Sequence, residues 1–160
     1  MNPITTPLLM TAALTTALAA PSIAFARPVT LTLNMADYGG RGAYLAIYLT
    51  DAAGAYAGSL WMAGGKAKYY RHLSDWARLT GGDPAQVDGI TGPSVGAGGT
   101  LELTMDVSDA LFEAGYTLHV DAAVEEMRDS PNEISLPLDS ANSGNVVQGR
   151  LYIADFAVAY

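Results

Sequence analysis

Val29-Thr30-Leu31-Thr32-Leu33-Asn34-Met35 alternates apolar and polar residues without a break, so Val29, Leu31, Leu33 and Met35 share one face. A period of two marks a strand with one side in a core and the other at the surface. The next apolar stretch is different. Tyr44-Leu45-Ala46-Ile47-Tyr48-Leu49 has no polar break, and a run that dense suits a central strand. Asp51-Ala52-Ala53-Gly54 follows as a turn and Tyr56 to Met62 returns, so residues 43–62 read as a hairpin.

The two-residue period recurs further on. Leu101, Leu103 and Met105 mark a strand over Thr100 to Val107, and Tyr116, Leu118 and Val120 alternate with Thr117, His119 and Asp121. Glu133 to Leu138 and Val146 to Tyr160 complete the set, with Arg150 to Tyr160 read as the last strand. The middle has another rhythm. From Lys68 to Leu79, Tyr69, Leu73, Trp76 and Leu79 fall at helical spacing, Lys68, Arg71, Asp75 and Arg78 lie opposite, and Gly81-Gly82 ends the helix. Asp83 to Gly99 reads as a long Gly-rich loop holding Pro84 and Pro93. The pattern predicts an all-β, immunoglobulin-like antiparallel β-sandwich with one short inserted helix, a single domain over residues 27–160.

Composition narrows the function. The chain has 160 residues, no Cys and a formal net charge of -8. That length buries a core without staples, and the lack of Cys excludes a disulfide framework, thiolate metal sites and iron–sulfur clusters. The acidic balance speaks against nucleic acid and anionic membrane surfaces, which need basic partners. Leu8 to Ala20 is an apolar run and Ala24-Phe25-Ala26 a small-x-small site, so residues 1–26 read as a secretory signal peptide and the domain as periplasmic. No nucleophile elbow and no His-Glu-x-x-His motif is present, so a redox carrier or a binding module is expected over a catalyst.

Four stretches in order carry a family resemblance: Ala43 to Asp51; Lys68-Tyr69-Tyr70-Arg71-His72-Leu73 with Trp76 and Arg78; Val87 to Ser94; and Ala114 to Ala123. Together they resemble the predicted periplasmic proteins of domain-of-unknown-function family 2271. The resemblance implies an exported sandwich domain associated with extracytosolic flavin-based electron transfer. Asp88-Gly89-Ile90-Thr91-Gly92-Pro93-Ser94 is similar to the acceptor motif Asp-x-x-Ser/Thr-Gly-Ala-Ser/Thr, on which a flavin transferase links FMN through its phosphate to the last hydroxyl. That likeness implies Ser94 as the acceptor and Asp88, Thr91 and Gly92 as recognition positions, with the transferase and a membrane redox protein as partners. Pro93 stands where the motif has Ala, and Val95 where Arg usually follows. Gly89 and Gly92 are expected to make the segment flexible. Read from the residues alone, it is a plain Gly/Pro connector that contains a serine.

Other residues support other readings. Lys66, Lys68, Arg71 and Arg78, with His72, form a basic patch fit for a phosphate or an acidic partner, or a solvated helix face. Trp61, Trp76, Tyr69 and Tyr70 are candidates to stack on a flavin ring, or core residues. The alternatives to a flavin carrier are a non-catalytic binding or assembly module and a metal-uptake accessory using His72 or His119.

Overall fold

Two sheets enclose the apolar faces that the alternating segments present. A computed structural model describes residues 25–160. The secretory segment therefore lies outside the described residues except for Phe25 and Ala26. The first sheet has the order β5-β1-β9-β8, formed by β1 (Ala26–Met35), β5 (Thr100–Ser108), β8 (Val146–Gln148) and β9 (Ile153–Ala159). The second has the order β4-β3-β2-β6-β7, formed by β2 (Tyr44–Thr50), β3 (Tyr56–Ala63), β4 (Thr91–Gly92), β6 (Thr117–Ala123) and β7 (Ser130–Pro137). The expected all-β sandwich with one short helix is what forms. All pairings are antiparallel except that of β3 with the two-residue β4.

The core between the sheets takes Val29, Leu31, Leu33 and Met35 from β1, Leu45, Ile47 and Leu49 from β2, Leu118 and Val120 from β6, and Phe156 and Val158 from β9. The alternation in β1 does what its period requires. Strand β2 is apolar from Tyr44 to Leu49 because it serves two cores. Ala46 and Tyr48 point the other way, into a second cluster with Met62, Tyr70, Leu73, Trp76, Val87 and Ala123. That outer layer is a 3₁₀ turn (Ala67–His72), helix α1 (Ser74–Thr80) and a second 3₁₀ turn (Pro84–Val87), laid over the second sheet.

Three sequence expectations change in detail. The helix expected from Lys68 to Leu79 is split, with Leu73 at φ -83, ψ 76 between its two parts. The first part has three residues per turn, so Tyr70, Leu73 and Trp76 align inward, and Tyr70 rather than Tyr69 is buried. Gly81 ends α1 in the left-handed conformation (φ 70), as expected of a C-terminal glycine. Second, Val146 to Tyr160 makes two strands, not one. The buried Glu133 carboxylate accepts the backbone N–H groups of Arg150 (2.6 Å), Leu151 (3.0 Å) and Tyr152 (2.7 Å). Those donors cannot also serve a sheet ladder, so the chain turns there and is fastened to β7. Third, residues 83–99 are not a plain loop, because they contain the second 3₁₀ turn and β4.

Asp121 fixes the outer layer. Its fully buried carboxylate accepts the N–H of Trp76 (2.8 Å) in the first turn of α1, the N–H of Asn132 (2.8 Å) and the Tyr48 hydroxyl (3.3 Å). Leu73, at the helix N-cap, offers no side-chain oxygen, so a carboxylate from β6 meets a donor that a local Ser or Asp usually meets. Desolvation raises the Asp121 pKa above 3.8, against the lowering effect of the Asn132 and Trp76 N–H groups.

Glu133→Gln turns an amide toward three backbone donors and is expected to lower stability by about 2–4 kcal/mol, read from urea denaturation. Unchanged stability would show that the cradle contributes nothing. Asp121 carries a pH signature. Its carboxyl ionises less readily folded than unfolded, so the folded state keeps the proton to higher pH and ionisation costs stability. As pH falls from 7 through the raised folded pKa toward 3.8, the stability difference between wild type and Asp121→Asn is expected to move in favour of the wild type. A shift the other way contradicts that sign.

Candidate functional site: the Asp88–Ser94 segment and its surroundings

The segment starts from the second 3₁₀ turn, whose Asp83 carboxylate accepts the Ala85 N–H (3.0 Å) with Pro84 in the first turn. Asp88 caps the other end and is exposed. Gly89 has φ +76, a conformation that a side chain disfavours, and it turns the chain back toward the sheet. Thr91 donates its hydroxyl to the Val87 carbonyl (2.9 Å), which closes the turn. Thr91 and Gly92 then pair with Met62 and Ala63 of β3.

Pinning continues on both sides of Ser94. The Gly64 N–H donates to the Gly92 carbonyl (2.8 Å), and Val95 exchanges two backbone bonds with Ala43 (2.7 and 3.0 Å). Pro93 and Ser94 are thus a two-residue step between two anchored pairs. Val95 is buried, whereas Ser94 is exposed and makes no hydrogen bond among the described residues. The flexibility expected of this segment is absent at Gly92 for a packing reason. A Cβ there would lie 2.5 Å from Cζ2 of Trp61, so the missing side chain makes room for an indole. The indole Nε1 is buried without a partner among the described residues.

Gly42 abuts Ser94 from the other side, since a Cβ at Gly42 would lie 2.6 Å from the Ser94 Oγ. The adjoining chain leads to a cleft lined by Tyr44, Tyr69, His72, Val124, Glu125 and Met127. Glu125 accepts from the Tyr69 hydroxyl (2.8 Å) and from Arg41 (2.9 Å). The Tyr69 hydrogen bond, then the Arg41 charge, hold its pKa below the ordinary range. Lys68 sits 4.8 Å from the Tyr69 ring centre.

Ser94, Asp88, Thr91 and Gly92 therefore lie on one continuous rim segment, with Ser94 and Asp88 open and Thr91 and Gly92 engaged in holding it. Of the aromatic candidates, Trp76 and Tyr70 are core residues, Trp61 backs Gly92, and Tyr69 faces the cleft. The basic patch is divided. Arg78 pairs with Asp75 (3.3 Å), and Lys68 lies on the cleft side. His72 faces Asp129 (3.1 Å), and both His119 ring nitrogens are bonded, to Thr50 and Asn132. Among the described residues, no three His, Cys, Asp or Glu side chains converge as metal ligands. Arg41, Glu125 and Met127 were not singled out from sequence as parts of one site. The glycines flanking Arg41 (Gly39, Gly40 and Gly42) were the available signal for a close approach.

Gly92→Ala is expected to displace the Trp61 indole and lower stability by about 1–3 kcal/mol. Thermal unfolding followed by tryptophan fluorescence reads both effects, and an unshifted emission with wild-type stability would refute the packing role.

Comparison with known proteins gives one relationship. No curated protein and no solved structure matches the chain. No helix among the described residues is long and apolar enough to cross a membrane. A family model for predicted periplasmic proteins, DUF2271, matches residues 26–155, nearly the whole of the described chain. The chain belongs to the DUF2271 family of predicted periplasmic proteins.

Proposed function

We propose that this periplasmic protein is an accessory of extracytosolic flavin-based electron transfer and carries FMN on Ser94. The observation that carries the reading is the Ser94 hydroxyl, exposed, unbonded and mounted on the sheet rim at the end of an Asp88–Ser94 segment that resembles a flavin acceptor motif. A phosphoester acceptor has to reach the active site of another enzyme, and a side chain on an outward step between two anchored pairs is open to that approach. The residues present fit the group. Ser94 is exposed among the described residues, and Gly42 beside its Oγ leaves space that a side chain would fill.

Attachment forms a bond between the Ser94 Oγ and the flavin-side phosphorus of a flavin dinucleotide as the pyrophosphate bond breaks, the nucleoside monophosphate leaves, and the hydroxyl proton passes to a base of the transferase. Thr91, through its bond to Val87, and Gly92, through its seat on Trp61, set the direction in which Ser94 projects. Asp88 is left exposed for the transferase to contact. Bound flavin supplies one- and two-electron transfer, and the chain supplies position and surroundings. A membrane redox protein is the expected exchange partner.

Intact-mass measurement after co-expression with a flavin transferase tests this reading. An FMN adduct on the wild type, absent from Ser94→Ala and retained by Ser94→Thr, is expected. No adduct, or one that survives Ser94→Ala, sinks it. A colourless protein that co-purifies with another periplasmic protein would instead favour a non-catalytic binding or assembly module.

A further inference from the structure

We propose that the cleft between the Ala67–His72 turn and the turn at Val124–Met127 seats the isoalloxazine ring of the flavin carried on Ser94. The proposal rests on the reading of Ser94 given above. It adds where the ring goes and which residues set its properties.

The cleft has a volume of about 180 Å³. Its wall is aromatic, with Tyr44 and Tyr69 edge to face at 5.3 Å between ring centres. Val124 and Ala123 form an apolar floor. Met127 is 39 % exposed, a large apolar side chain left open at the mouth. Tyrosine faces and a thioether are the surfaces on which a flat, electron-poor heteroaromatic ring packs. Glu125, at the rim, offers a carboxylate acceptor suited to the imide N–H of such a ring. Its two bonds, from the Tyr69 hydroxyl and from Arg41, keep it ionised and oriented.

The link to Ser94 is three consecutive residues. Gly40 lies against Met127, since a Cβ there would be 2.7 Å from the sulfur. Arg41 binds Glu125. Gly42 abuts the Ser94 Oγ. Even fully extended, Gly40 and Gly42 are separated by no more than about 7 Å, a span that a ribityl phosphate arm covers. The two glycines let Met127 and Ser94 pack close to the backbone, and Arg41 between them, with Lys66 near Glu125, puts positive charge beside the cleft. Tyr70 and Trp76 are enclosed in the outer-layer core and have no face to offer, which leaves Tyr44 and Tyr69 as the stacking surface.

The test uses the full chain with FMN attached by a transferase, the adduct being verified by mass. Flavin emission quenched relative to free FMN, together with an induced visible circular-dichroism band, is expected. Tyr69→Ala and Met127→Gln are expected to restore emission with the adduct mass unchanged, whereas Tyr69→Phe, which keeps the ring, stays quenched. Glu125→Gln is expected to raise the midpoint potential, because the carboxylate opposes the negative charge of the reduced ring. An adduct whose emission and dichroism match free FMN, indifferent to these variants, overturns the seat while leaving attachment to Ser94 intact. If no adduct forms, attachment fails, and titration with lumiflavin, which lacks the arm, judges the cleft by itself. Saturable quenching weakened about tenfold by Tyr69→Ala supports a ring seat, and no saturable quenching overturns it.

Discussion

A buried carboxylate on β6 decides where everything outside the sandwich sits. Helix α1 has seven residues, too few to hold itself together in water, and its N-cap residue is an apolar Leu73. The donor at Trp76 is met only because Asp121 stands beneath it. The same carboxylate takes the Asn132 N–H at β7 and the Tyr48 hydroxyl on β2, so one side chain ties the helix to three strands. Burial pushes the Tyr48 phenol far up, and the neighbouring Asp121 charge adds to the effect, so that contact stays a hydrogen bond from a neutral phenol. Trp76 is then fully buried in the outer cluster and donates its indole N–H to Ser59 (2.9 Å). The acceptor at residue 121 and the indole bond to Ser59 together fix the helix on the second sheet.

Much of the sandwich was legible because period two is a geometric consequence of the strand. Val29 to Met35 admits one reading, and Tyr44 to Leu49 admits one once a strand buried on both sides is allowed. The failures have a common cause, which is that distant partners override local pattern. Spacing of three against four along residues 68–80 cannot separate a continuous helix from a 3₁₀ turn joined to one, and the choice moves the buried tyrosine from 69 to 70. Arg150 to Tyr160 does hold the last strand, but β9 starts only at Ile153. A carboxylate from β7 removes three donors from the ladder, and nothing in residues 146–160 announces it.

Glycine shows the same limit at the candidate site. Gly89 and Gly92 look alike in sequence and both suggest freedom. The structure gives them different work: Gly89 occupies a left-handed turn, and Gly92 is small because Trp61 fills the space beside it. The order Asp88, Thr91, Gly92, Ser94 was visible, but its rigidity was not. That rigidity comes from the open edge of β3 and from the bridge between Ala43 and Val95, two contacts made far along the chain.

This rigidity bears on what the segment is good for. A tether that swings lets whatever it carries sample many distances and orientations, and for the electron exchange proposed above most of those are too long. Ser94 instead projects from a step whose two ends are sewn into the second sheet, one through Gly64 and one through Ala43, itself a core residue. The cleft nearby has a dependent geometry. Tyr69 precedes Tyr70, whose ring packs edge to face on Trp76 at 5.7 Å and whose hydroxyl holds the Gly64 carbonyl (3.0 Å). Gly64 in turn carries the Gly92 carbonyl. The outer layer thus reaches the Asp88–Ser94 segment by two routes, through Gly64 and through Val87, whose carbonyl accepts the Thr91 hydroxyl (2.9 Å). Val87 and Tyr70 pack in one cluster with Trp76, so both routes start from the helix seat that Asp121 holds.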